Sequence, residues 1–270
     1  MITFVKWIGA AAVLAGVLLL LIYWFQDRLV FFPSTIDETQ GDQTASVQED
    51  AERVSYVMED GTTVAGWKLN RSDERLLIYY GGNGQELSGQ VRDMDDFDDW
   101  SVLLVNYRGY GLSEGDPGED VLYSDALEVY DQVAEEYCET AVIGRSIGTA
   151  VAANTAVERD VDQMVLISPF DSLAAVGSEA YPFLPVETLL RFEFDTASRI
   201  QGWDGPLMVV YGEDDAIVQP ERTRALLEAW DGEADEVRSM PGRGHNDLQL
   251  EPDFYSAMAD FLRERSTTME

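Results

Sequence analysis

Val142-Ile143-Gly144-Arg145-Ser146-Ile147-Gly148 is the stretch on which the reading of this chain turns. Ala141–Ile143 is a short apolar run of strand type, and Ile147–Arg159 is Ala-rich with helical spacing. Between them lies Gly-x-Ser-x-Gly. Two glycines permit a sharp, strained strand-to-helix turn, which leaves Ser146 at the sheet edge with its Oγ near a helix N-terminus. The pattern alone arises by chance and also describes an ordinary glycine-rich turn. Its position between a buried strand and a helix is what singles out Ser146 as a nucleophile.

Working outward, the same alternation recurs. Arg53–Val57 and Thr63–Leu69 flank Asp60-Gly61, a hairpin signal. Leu76–Tyr80, Val102–Tyr107, Met164–Ile167 and Leu207–Tyr211 are nearly continuous in Val, Ile and Leu, as strands covered on both faces are. Val121–Tyr137, Glu221–Trp230 and Asp253–Arg265 carry helical spacing. Strand–helix alternation implies a doubly wound α/β domain with a mostly parallel sheet. Leu173–Ile200 breaks the rhythm with Tyr181-Pro182-Phe183-Leu184-Pro185 and no strand. Residues 171–200 are therefore either a small cap over the carboxyl ends of the strands or an ordinary helix pair.

The turn Tyr80-Gly81-Gly82-Asn83-Gly84 follows the first buried strand. Backbone N–H groups there, at Asn83, and at Ile147 after the nucleophile would stabilise an oxyanion. A carboxylate is expected on a loop after a later strand. Gly212-Glu213-Asp214-Asp215 offers three, of which Asp215 is best placed, just before Ile217-Val218. Asp171 also follows a strand and is the alternative acid. The chain has one histidine, His245 in Gly-Arg-Gly-His-Asn-Asp. A general base with an unperturbed pKa near neutrality must be this residue. Ser146 would attack an acyl carbon, His245 would carry the proton to the leaving group, and Asp215 would hold the imidazole tautomer. Asp247 reads as a support for the His245 loop. Ser at the elbow, where Asp would stand for haloalkane chemistry, favours acyl transfer.

The formal net charge of −33 argues against nucleic acid, whose recognition requires clustered basic residues. The only lysines are Lys6 and Lys68. Acidic excess with scarce lysine fits either a salt-adapted protein or a merely soluble acidic surface. One His and one Cys do not make a zinc, haem or iron–sulfur site of the usual kind, and no cofactor or metal is implied. Cys138, flanked by carboxylates, reads as structural.

From Trp7 to Phe25 the sequence is unbroken apolar or small, about the length a helix needs to cross a bilayer, with Trp7, Tyr23 and Trp24 suited to the interfaces. No small-x-small cleavage site follows, so residues 1–28 read as a retained single-pass anchor in the lipid bilayer through residues 7–25. The short N-terminal tail places the main domain on the extracytoplasmic side. Residues 29–52 are expected to be a linker, and residues 53–270 the catalytic domain.

Taken together, Gln26-Asp-Arg-Leu-Val-Phe-Phe-Pro33, Gly81-Gly-Asn-Gly84, Asn106-Tyr-Arg-Gly-Tyr-Gly-Leu-Ser-Glu-Gly115, Gly144-Arg-Ser-Ile-Gly148, Gly212-Glu-Asp-Asp215 and Gly244-His-Asn-Asp-Leu248 give the chain its resemblance to the α/β-hydrolase superfamily. Nearest in pattern are its membrane-anchored serine hydrolases, the alpha/beta hydrolase domain-containing proteins. The likeness spans nearly the whole chain. It implies the α/β-hydrolase fold and an esterase or thioesterase with the triad Ser146, Asp215 and His245; substrate and protein partners do not carry over. One departure is that the family often has His-Gly-Asn where this chain has Gly81-Gly82-Asn83. Peptidase or amidase chemistry by the same triad, and a non-catalytic protein that binds a lipid or partner, are the competing functions.

Overall fold

The computed structural model describes residues 2–266. Its N-terminal helix α1 (Ile2–Trp24) contains a stretch, Lys6–Trp24, long and apolar enough to cross a membrane, with mean hydropathy 2.2 and none of it buried against the rest of the protein. Two short helices follow, α2 (Gln26–Val30) and α3 (Glu38–Ala45). The hairpin is β1 (Ala51–Val57) and β2 (Thr63–Leu69), paired antiparallel with Val57 opposite Thr63. Gly61 takes φ +85° at its turn, the left-handed conformation that glycine adopts without strain.

The doubly wound part contains β3 (Arg75–Tyr80), a 3-10 segment (Leu87–Met94), β4 (Ser101–Val105), α4 (Glu119–Val133), β5 (Glu139–Arg145), α5 (Ile147–Glu158) and β6 (Gln163–Ile167). Then come α6 (Leu173–Ala180), α7 (Val186–Leu189), α8 (Thr196–Arg199), β7 (Leu207–Gly212), α9 (Pro220–Ala229), β8 (Glu236–Met240) and α10 (Phe254–Ser266). The eight strands lie in the order β1-β2-β4-β3-β5-β6-β7-β8. Pairing is antiparallel on both sides of β2 and parallel from β4 to β8.

Period-two alternation explains how apolar runs serve two cores. In β3, Leu76, Ile78 and Tyr80 join the layer under α4, α5 and α9, whereas Leu77 and Tyr79 join the layer under the 3-10 segment and α10. The small residues of α5 let it lie almost on the strands: every residue from Ile147 to Ala156 is buried.

Two elements lie outside what the sequence announces. The segment expected as a linker is partly ordered. Asp37 and Gln40 form a reciprocal capping box on α3, and Gly41 is buried beneath Leu112 and Arg53. The strand β8 was not expected. Its sequence, Glu-Val-Arg-Ser-Met, is half exposed, because it pairs only with β7 and closes an edge.

The insertion between β6 and β7 divides in two. α8 packs on α5, and the backbone ahead of it is pinned where Glu193 N and Phe194 N each donate to the Glu119 carboxylate at 2.6 Å. Burial raises the Glu119 carboxyl against the pull of those donors. α6 and α7 bury no residue of their own, and α7 rests against the end of α1.

Near the hairpin, Arg108 grips Asp125 with two hydrogen bonds of 2.7 Å and also donates to Asp60. That bond, with the Thr62 N–H, lowers the Asp60 carboxyl to about 2 from 3.8. A carboxylate depressed on folding stabilises above its unfolded pKa and loses that contribution as pH falls through the folded one. Asp60→Asn is therefore expected to melt below the parent at neutral pH. The gap should close as pH drops from about 4 to about 2; a gap independent of pH would refute the pairing.

Candidate active site

The strand-to-helix turn puts Ser146 between the last residue of β5 and the first of α5, at φ 53° and ψ −119°. A non-glycine residue in that region costs on the order of 1–3 kcal/mol and persists only where its surroundings fix it. Here Ser146 N donates to Ile167 O at 2.8 Å, while the Thr149 N–H and Oγ1 both donate to Ser146 O, at 2.9 and 2.6 Å. Glycine is required at both flanks by close approach. A Cβ on Gly144 would lie 2.4 Å from Gly148 O, and one on Gly148 would lie 2.3 Å from Tyr80 O.

Asp215 and His245 come together from loops after β7 and β8. His245 Nδ1 lies 2.7 Å from Asp215 Oδ2, with side-chain exposures of 10% and 1%. The other oxygen, Oδ1, accepts from Ile217 N at 2.9 Å and Val218 N at 2.8 Å. The carboxylate is thus aimed from both ends. Asp247 Oδ1 accepts from Gly244 N at 2.6 Å, which makes it a support of the His245 loop. Arg145, adjacent to Ser146, donates to His245 O at 2.8 Å and ties the two loops together. Asp171 is placed elsewhere: its Oδ2 accepts from Arg222 at 3.0 Å, and Arg222 also pairs with Glu179 of α6.

Ile147 opens α5, so its N–H is one of those at a helix start with no carbonyl partner inside the helix. The turn after β3 approaches from the other side. A Cβ on Gly82 would lie 3.5 Å from Ser146 Cβ, so the backbone entering Asn83 runs beside the serine. Among the described residues no group of three or more His, Cys, Asp or Glu could hold a metal ion.

No protein-family model matches the chain. The uncharacterized protein Rv2307c of Mycobacterium tuberculosis is 32% identical over 256 residues, covering 90% of this chain and 88% of that one. An uncharacterized membrane protein of Saccharomyces cerevisiae, YNL320W, is 26% identical, covering 96% of each chain. Alpha/beta hydrolase domain-containing protein aho-3 of Caenorhabditis elegans is 26% identical over 166 residues, 60% of this chain and 48% of that one. Among solved structures, the esterase Pf2001 of Pyrococcus furiosus superposes with a TM-score of 0.67 at 20% identity, covering 87% of this chain and 99% of that one. The chain belongs to the alpha/beta-hydrolase family.

In this alpha/beta hydrolase the Gly81-Gly82-Asn83 turn is shaped without the family's frequent histidine. Tyr107 OH donates to Gly81 O at 2.9 Å, and Gln85 Oε1 accepts from Gly82 N at 2.8 Å. The Asn83 side chain accepts from Tyr110 OH at 2.9 Å and from Phe32 N at 3.1 Å, and donates to Val30 O. In the sequence, Asn106–Gly115 carries a resemblance and no assigned role. Its tyrosines brace the turn that carries Asn83, with Arg108 locking the motif to Asp125 below.

Proposed function

We propose that this chain is a membrane-tethered serine hydrolase that cleaves carboxylic esters or thioesters through an acyl-enzyme. The observation that carries the reading is the His245 Nδ1–Asp215 Oδ2 contact of 2.7 Å, on loops tied to a strained Ser146. With Nδ1–H donated to Asp215, the Nε2 lone pair accepts the Ser146 proton as Oγ bonds to the acyl carbon. The oxyanion forms against the N–H groups of Asn83 and Ile147. His245 Nε2–H then protonates the departing alkoxide or thiolate. Water, losing its proton to Nε2, attacks the acyl-enzyme, and the carboxylic acid leaves as Ser146 regains its hydrogen. Nothing in this sequence calls for a cofactor.

The tether is supported by the length and composition of α1 and by the name of the yeast relative.

A fluorophosphonate probe tests the chemistry. The full chain is expected to label at one site, Ser146→Ala to lose the label, and p-nitrophenyl esters to turn over faster than peptide anilides. Labelling that survives Ser146→Ala refutes the nucleophile. Faster anilide cleavage refutes the esterase assignment.

A further inference from the structure

Chain leaving the apolar helix does not swing free of the domain. Gln26, 2% exposed, donates from Nε2 to Leu189 O at 2.6 Å and accepts at Oε1 from Arg191 N at 2.8 Å. The Arg191 guanidinium bonds Asp27 at 2.9 Å and lies over the Tyr23 ring at 5.6 Å. Phe31 is buried edge-on to Phe192 at 5.0 Å. On the other side, Asn83 holds Phe32 N and Val30 O. The five residues of α2 contribute only ~8 Å of rise, so α1 ends close to both the insertion and the turn beside Ser146.

At the tip of the insertion, Tyr181 and Phe183 stack edge-to-face at 6.5 Å and are 54% and 80% exposed. Pro182 and Pro185 stiffen this turn and remove two backbone donors. Val186 then begins α7, which touches the end of α1. Phe25, Leu29 and Phe32, in the chain just after α1, are exposed as well. Solvent-facing apolar surface of that extent marks a contact, and aromatic rings suit the headgroup boundary. The net charge of −33 opposes attraction to anionic lipid, which leaves the rings as the source of affinity.

We infer that the Tyr181–Phe183 turn is a second membrane contact, seated in the leaflet from which α1 emerges and holding the Ser146 site against the bilayer surface. The inference rests on the tethered reading and adds a lipid contact made by the insertion itself.

Full-length protein in phosphatidylcholine nanodiscs tests it with spin labels placed singly: at Leu14→Cys and Phe183→Cys in a Cys138→Ser background, and at native Cys138. Cys138 is exposed and precedes β5, at the end of the sheet opposite Ser146, and serves as the aqueous control. Labels at 14 and 183 are expected to collide more with oxygen than with a water-soluble nickel chelate, and the label at 138 to show the reverse. Lipid exposure at 14 with water exposure at 183 overturns the inference and leaves the tether standing. Water exposure at 14 overturns the tether itself. Shielding from both agents at 183 means a second protein covers the turn, and also overturns it.

Activity gives an independent readout. Phe183→Asp is expected to slow hydrolysis of 4-methylumbelliferyl oleate dispersed in phosphatidylcholine vesicles about tenfold or more, the scale of losing one buried Phe, with a short soluble ester unaffected. An equal loss on both substrates, or none on either, contradicts a membrane role.

Discussion

His245→Ala is expected to lower kcat for a p-nitrophenyl ester by about 10⁵–10⁶, the scale seen when a triad base is removed. The chain supplies no substitute, since this is its only imidazole. The groups nearest in the loop are also unsuited to the role. Arg145 is a permanent cation already donating to the His245 carbonyl, and the Asp247 carboxylate accepts from Gly244 N. Residual hydrolysis of ~10³–10⁴ over water should persist, because the substitution leaves the N–H groups proposed for the oxyanion, at Asn83 and Ile147, in place. Folding should survive: Asp215 loses one partner but keeps the N–H groups of Ile217 and Val218. The loss of one partner of a buried group costs about 1–3 kcal/mol, readable as a modest fall in Tm. Added imidazole should restore part of the rate without moving Tm. A variant folded like the parent that keeps even a tenth of its kcat would remove His245 from the mechanism.

Much of this architecture is legible in the sequence, for physical reasons that also mark where legibility ends. β3, β5, β6 and β7 are covered on both faces, so burial forces continuous apolar runs that announce a strand. β8 has a partner on one side only and keeps Val237 half exposed, so polar residues interrupt its apolar ones and it carries no run to read. That strand delivers the chain to His245, so the residue is legible in the sequence while the element that positions it is not. α3 left a local signal, Asp37 three residues ahead of Gln40, but its polar sequence hid the helix because almost nothing in it is buried. Choosing between Asp215 and Asp171 was a weaker matter. Both follow strands, and only the folded chain shows Asp171 occupied by Arg222. The tyrosines that brace the Asn83 turn were least visible of all. Tyr107 and Tyr110 act on Gly81 and Asn83 across 26 and 27 residues, one of them through a backbone carbonyl that any residue provides.

Asp215→Asn should be nearly as damaging as loss of His245, at about 10⁴ in kcat, without its effect on side-chain volume. The surroundings of the carboxylate dictate how an amide would sit. Oδ1 receives the N–H groups of Ile217 and Val218 at 2.9 and 2.8 Å, and only an acceptor fits there. The amide oxygen must take that place, which turns the amide NH₂ toward His245 Nδ1. Two donors cannot share that contact, so Nδ1 becomes the acceptor and the ring proton moves to Nε2. In that tautomer His245 has no lone pair to accept the Ser146 proton. All backbone contacts survive, so Tm should change little while kcat collapses and KM holds. Fluorophosphonate labelling should slow in parallel, because it uses the same proton transfer. Asp171→Asn provides the contrast. It weakens the Arg222 pair beside α6 and leaves the imidazole tautomer alone, so kcat should fall less than about tenfold. A larger loss from Asp171→Asn than from Asp215→Asn would reassign the acid of the triad.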